Sequence, residues 1–231
     1  MSTSISKRMK QAKGLVDATK AYKLEEAVAA LKKSPKVKFD ESFEISIKLG
    51  LDLKDKPQPV RGTVVLPHGR GRTIKVAVFC KDKDAQAAKD AGADFVGEAD
   101  LIKKVSDGFL DFNIAVATPD VMRDLAKLGK ILGPRGLMPT PKAGTVTNDV
   151  AAAVKEVKKG KVEFKMDKTA CINMAVSKVS FEEKAICENI RTLIKAVKLQ
   201  KPAGIKGQFL QTISISTTMG PGIKLDSVEY K

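Results

Sequence analysis

The sequence predicts an α/β protein in two parts: an α+β outer domain with an antiparallel-rich sheet, made from both ends of the chain, and an inserted domain with a parallel sheet. Three observations carry this. Residues 43–49 alternate, with Phe43, Ile45, Ile47 and Leu49 apolar between polar neighbours, as in a strand with one wet face. Between residues 73 and 128, short apolar runs alternate with helix-length segments, the order of a parallel sheet covered on both faces. Beyond residue 159 the alternating texture returns. The expected division is therefore 1–67 with 159–231 for the outer domain, and 68–158 for the insertion.

The elements follow in chain order. The first fourteen residues, MSTSISKRMKQAKG, read as a basic arm; they lack the apolar stretch of a secretory signal. Leu24, Ala27, Val28 and Leu31 fall at i, i+3, i+4 and i+7 and predict a helix that stops before Pro35. The strand of residues 43–49 is followed by a short strand in RGTVVLP that runs into the glycine-rich turn HGRGR. TIKVAVFC, ADFVG and LDFNIAVA predict the buried strands of the insertion, with helices at 82–91, 98–106 and 119–128, the last opening on Pro119. A further helix is expected from an Asn148 cap to just before Gly160. KVEFKM and CINMAVSKV read as strands, and SFEEKAICENIRTLIKAVKL as an amphipathic helix with Ser180 and Glu183 as a capping box. QFLQTISISTT and IKLDSVEY close the outer sheet.

The chain of 231 residues is 43% hydrophobic, enough for real cores, yet its net charge is +15. Folding alone does not require such an excess, which points to an extended polyanion as partner. The charge is +6 on residues 1–67, +3 on 68–158 and +6 on 159–231, so the main anion-binding face is expected on the outer segments. No apolar run approaches the ~18 residues of a membrane span, and no membrane partner is expected. Cys80, Cys171 and Cys187 share no CxxC spacing. Their odd number fits reduced thiols in a cytoplasmic protein, with neither disulfides nor a structural metal.

The stretch LGKILGPRGLMPTPKAGTV, residues 128–146, holds four glycines, three prolines and no acid. It is expected to be a stiff projection: Pro134, Pro139 and Pro141 restrict the backbone, while Gly133, Gly136 and Gly144 allow left-handed turns and close approaches. Lys130, Arg135 and Lys142, with Met138 among them, would present charge to phosphate. The alternative is a nucleotide- or sugar-phosphate-binding α/β enzyme using this loop. It lacks the GxxxxGK[ST] run that sets lysine, hydroxyl and magnesium on a nucleotide, and GRGR at 69–72 precedes a strand rather than following one. The lone histidine, His68, stands between proline and glycine with no nucleophile nearby in sequence, so a structural role is favoured over catalysis. Glu182 and Glu183 fall at an expected helix start, where acids complement the dipole. No cofactor and no catalytic residue is expected.

VKFDESFEISIKLG, VRGTVVLPHGRG, GKILGPRGLMPTPKAGTV, VEFKMDKT and TTMGPG occur in this order. Together they resemble the family of the first protein of the large ribosomal subunit, bacterial type, over about residues 5 to 228. That resemblance implies a discontinuous RNA-binding domain and a Rossmann-like insertion without a dinucleotide, hung on a hinge. It implies a structural, ribosome-associated cytoplasmic protein, monomeric within the ribosome. Its partners would be large-subunit ribosomal RNA at the mobile stalk, exit-site tRNA that it helps release once deacylated, and its own mRNA, whose translation it represses. Carried onto this chain, the implied RNA surface is Lys38, Phe39, Ser42, Glu44, Lys165, Asp167, Lys168, Thr212, Thr217, Thr218, Met219 and Gly220. Lysines suit phosphates, hydroxyls and the Gly220 backbone suit 2′-hydroxyls, and Phe39 and Met219 suit sugar or base faces. Phe39 reads equally well as core, and Glu44 as half of a surface ion pair. The chain departs from the family pattern at Ala170 and Ser177, where glycine is usual, and at Asn173 in place of histidine. These departures bear on the turn at Ala170 and on the placing of Lys168.

Overall fold

The computed structural model describes residues 6–17, 19–35, 37–51, 59–202, 207–226 and 230. The chain forms two compact units, residues 1–71 with 163–231, and residues 72–162.

In the first unit the elements are α1 (Lys7–Gly14), α2 (Leu24–Lys32), β1 (Ser42–Leu49) and β2 (Arg61–Val65). In the second they are β3 (Val76–Phe79), α3 (Asp82–Asp90), β4 (Phe95–Gly97), α4 (Ala99–Ser106), β5 (Ile114–Ala117), the short turns α5 (Met122–Leu125) and α6 (Gly129–Leu132), and α7 (Val150–Lys158). The chain then returns through β6 (Lys161–Lys165), β7 (Cys171–Lys178), α8 (Glu183–Leu199), β8 (Leu210–Thr217) and β9 (Ile223–Lys224).

The four-stranded sheet of the first unit has the order β7-β1-β8-β9, all pairs antiparallel. The N-terminal segment thus supplies an inner strand, and the C-terminal segment supplies the strands around it. Ile45 lies between Met174 and Ile215, and Ile47 between Ile172 and Ile213, all buried. This apolar face meets α2, through Leu24, Ala27, Val28 and Leu31, and α8, through Ile186, Ile190, Leu193, Ile194 and Val197. Bulges interrupt both ladders of β1, between Phe43 and Glu44 against β7 and between Lys48 and Leu49 against β8. β2 pairs with β6 in a separate ribbon.

In the second unit, β4-β3-β5 form a parallel sheet. Val76, Val78 and Cys80 face a core shared with Ala88, Val150 and Val154. Ala77 and Phe79 face the opposite core, with Leu101, Val105, Leu125 and Leu132. Helices on both faces explain why these strands read as continuous apolar runs.

Several expectations are corrected. The basic arm is a helix from residue 7, capped by the Ser6 hydroxyl and with Ala12 buried. Residues 1–5 lie outside the described residues, as do 227–229 of the last expected strand; among the described residues of that segment, β9 covers Ile223–Lys224. The helix expected over 119–128 alternates 3₁₀ and α turns as far as Leu132. Its buried residues Val121, Leu125, Leu128 and Leu132 keep a helical spacing throughout. The cap of α7 is Asp149, whose carboxylate accepts from Ala152 N at 3.0 Å, rather than Asn148. The capping box at Ser180 does not form: its hydroxyl donates to Asp40 at 2.9 Å, and α8 starts two residues further on without a side-chain cap. Residues 68–71, expected in the insertion, belong to the first unit. Buried Asn189 of α8 accepts from His68 N at 3.2 Å and donates to the Gly69 carbonyl at 2.9 Å and the Val176 carbonyl at 3.3 Å.

Candidate nucleic-acid interface

Among the described residues no helix packs on the second face of the four-stranded sheet, which is built from the polar residues of the alternation. Glu44 lies between Ala175 and Ser216, Ser46 between Asn173 and Ser214, and Lys48 between Cys171 and Thr212. Glu44, Ser46, Asn173 and Thr212 are exposed, and the others on this face are half-buried. The result is a field of hydroxyls and an amide with few charges, suited to hydrogen bonds along a sugar-phosphate strand.

At one end of β1 stand exposed Lys38 and Phe39, the latter 54% exposed. Its place is on the surface, not in the core. Beside them is the turn of residues 217–220. The Thr218 hydroxyl accepts from Ser42 N at 3.0 Å, and Thr218 N donates to the Ser42 carbonyl at 3.1 Å. Arg8 of α1 donates to the Met219 carbonyl at 2.7 Å. These bonds hold Met219 with its side chain 47% exposed. Of the threonines expected on the RNA surface, Thr217 is 3% exposed, with a buried hydroxyl. Thr217 packs where a Cβ on Gly220 would lie, 2.2 Å from its Oγ1, so Gly220 is required by its neighbour. Ser42 is buried as well, and its N–H and carbonyl are both engaged by Thr218.

At the other end, Asp167 organises a turn rather than offering a free acid. Its Oδ1 accepts from Cys171 N at 2.8 Å, Thr169 N at 2.8 Å and the Thr169 hydroxyl at 2.7 Å. The Cys171 bond, then the Thr169 hydroxyl, hold its carboxyl below the usual carboxylate range. Ala170 sits inside this turn, fully buried at φ +58°. It adopts the left-handed shape that glycine would, so the departure from the family pattern leaves the turn intact, at the steric cost of a Cβ. Lys168 stands exposed at the tip and Lys165 exposed on β6, while Lys48 Nζ donates to the Thr169 carbonyl at 2.6 Å.

Residues 128–146 are more firmly packed than a projection. Leu132, Pro139 and Ala143 are buried, and Leu137 and Met138 pack on the core of the second unit. The chain returns beside β5, with Ala117 N donating to the Thr145 carbonyl at 2.9 Å. Gly136 and Gly144 take φ of +69° and +64°. Gly133 does not: its φ is −59°, and a Cβ there would lie 2.5 Å from the Gly129 carbonyl oxygen, so it serves close approach. Lys130, Arg135 and Lys142 remain exposed.

Sequence reasoning missed Ser46, Lys48, Asn173 as a surface group, Ser214 and Ser216, although the alternation itself marks them as the face opposite the core. It also missed Arg8, which lies 211 residues from its partner, and Asn189, which looks like any helix residue. Among the described residues, no three His, Cys, Asp or Glu side chains are grouped to hold a metal ion. No helix among them is long and apolar enough to cross a membrane.

The polar sheet face, edged by lysines and two exposed apolar side chains, is an extended surface rather than an enclosed cavity. Residues 31–221 match the family described as the ribosomal protein L1p/L10e family, and the chain belongs to it. It is 52% identical to the large ribosomal subunit protein uL1 of Protochlamydia amoebophila, over 96% of this chain and 94% of that one. The uL1 proteins of Thermosipho melanesiensis and Chlamydia caviae are 52% and 49% identical, over 96% and 97% of this chain and 96% and 98% of theirs. The family is one of ribosomal proteins rather than enzymes, which removes the nucleotide-enzyme alternative for residues 128–146.

Proposed function

We propose that this chain is a structural constituent of the large ribosomal subunit that binds ribosomal RNA of the mobile stalk through the open face of its first unit. The observation that carries this reading is the uncovered sheet face, with Lys38, Phe39 and Met219 at one end and Lys168 and Thr212 at the other. By the rise of a strand, the eight residues of β8 span about 25 Å, long enough to follow several nucleotides. The second unit is the arm that moves on a hinge and helps deacylated tRNA leave the exit site, with residues 128–146 as a secondary contact. An mRNA segment that mimics the ribosomal site would occupy the same face, which gives repression of the protein's own translation.

Filter binding to a stalk RNA fragment tests the face. Ser46→Glu places a carboxylate at its centre, with no contact to the core, and is expected to weaken binding at least tenfold. Lys168→Ala should lower the slope of log affinity against log salt by about one phosphate contact. Wild-type affinity for Ser46→Glu would move the RNA to another surface.

A further inference from the structure

We propose that α1 is a second RNA contact: a cationic strip of Lys7, Lys10 and Lys13 that meets phosphates of the stalk RNA beyond the turn of residues 217–220. This rests on the open sheet face as the RNA surface and extends that surface past the end of its strands.

The position of α1 is set by one long-range bond. Arg8 donates to the Met219 carbonyl at 2.7 Å, which ties the first turn of α1 to the turn where the Met219 side chain stands exposed. Arg8 is half-buried and Ala12 fully buried, so this stripe of the helix faces the protein. With about 3.6 residues per turn, Lys10 lies on the opposite side of the helix from that stripe. Lys7, Lys10 and Lys13 follow one another at i, i+3 and i+6, all exposed, along about 9 Å of the helix axis. RNA that reaches Met219 therefore finds a row of ammonium groups beside it.

The charge of α1 argues the same way. Its sequence, KRMKQAKG, holds four cations and no acid. Like charges three residues apart repel. Lys7 and Arg8 stand in the first turn, at the positive end of the helix dipole, where a cation is unfavourable, and the dipole accounts only for Lys13 in the last turn. Residues 1–5, MSTSI, bring no acid, and the first acid of the chain, Asp17, accepts from the Thr19 N–H at 2.9 Å and the Thr19 hydroxyl at 2.6 Å. Among the described residues no acid forms an ion pair with Lys7, Lys10 or Lys13. A helix this short is marginal in water, and α1 buries Ala12 alone, so neither propensity nor core packing accounts for so basic a segment. Phosphates seated on the strip remove the repulsion and complement the first turn. An acidic membrane surface does not fit, because the apolar side of α1, at Ala12, is turned to the protein.

Filter binding to the stalk RNA fragment tests the strip with Lys7→Gln, Lys10→Gln and Lys13→Gln combined, since glutamine keeps the helix propensity of lysine. This triple variant is expected to bind at least tenfold more weakly at physiological salt and to lower the slope of log affinity against log salt by about 2 to 2.7, the value for three phosphates. Its melting temperature should not fall, because the repulsion within α1 is relieved. Arginine at the same three positions should keep the wild-type slope. Lys89→Gln with Lys103→Gln and Lys104→Gln removes the same charge from exposed positions of the second unit and should leave the slope unchanged. A wild-type slope in the α1 glutamine variant would overturn the proposal and leave α1 to a partner other than RNA. An equal fall in the second-unit variant would overturn it too, by reducing the effect to net charge. Ser46→Glu separates this contact from the open face: wild-type affinity there, with a lowered slope in the α1 variant, would sink the face and keep the strip, whereas weak binding there with an unaltered slope in the α1 variant would sink the strip and keep the face.

Discussion

Gly220→Ala isolates the shape of one turn from its charge. The added Cβ would stand 2.2 Å from Thr217 Oγ1 and 3.4 Å from Thr217 Cβ. Non-bonded atoms are comfortable near ~3.5 Å, so about 1 Å must be absorbed. Thr217 is buried and has no solvent to swing into. The strain therefore falls on the turn, which is tied by Gly220 N to the Thr217 carbonyl at 3.1 Å and by Thr218 to Ser42. Overpacking of this kind costs about 1–3 kcal/mol. In the free protein the turn can relax outward. RNA that requires the native shape must restore the strain, so affinity for the stalk fragment should fall by roughly 5- to 150-fold, at about 1.4 kcal/mol per decade. The midpoint of urea unfolding should fall only slightly. Thr217→Ala in the same chain removes Oγ1 and leaves the Cβ contact of 3.4 Å, so the double variant should recover most of the lost affinity. Wild-type binding by Gly220→Ala, or a double variant no better than the single one, would refute the argument.

Asn189→Ala leaves the His68 amide and the Gly69 and Val176 carbonyls without their side-chain partner. At roughly 3 kcal/mol in total, the melting temperature should drop by about 6–12 °C; calorimetry would measure it. Asp167 has a folded pKa below its unfolded value because Cys171 and Thr169 donate to it. Its stabilisation is therefore present above the unfolded pKa and is lost as pH falls through the folded one. Asp167→Asn should be less stable than wild type near pH 7 and converge with it under acid, as urea titrations at several pH values would show. Arg135→Ala with Lys142→Ala alters exposed side chains of the second unit, so affinity for the isolated stalk fragment should fall by well under tenfold, while fluorescence-monitored tRNA release from assembled ribosomes slows.

Much of this protein was legible in its sequence, because burial imposes a period that local sequence must obey. Phe43, Ile45, Ile47 and Leu49 had to face a core, Leu24 through Leu31 had to line a helix, and the runs around Val78 and Val116 had to be covered on both sides. The charge balance, a sum over residues, indicated a polyanionic partner. What escaped were contacts whose partners lie far apart in the chain. Ser180 carries a good capping signal, yet Asp40, 140 residues earlier, takes its hydroxyl. Thr217 and Asp167 look like surface donors and acceptors in a linear motif, but one is buried beneath Gly220 and the other is spent on its own turn. Arg8 on the Met219 carbonyl and Asn189 beneath residues 68–69 follow no local period. Only packing brings such groups together, since a hydrogen bond depends on a few ångströms of geometry between segments while periodicity depends only on which side of an element meets water.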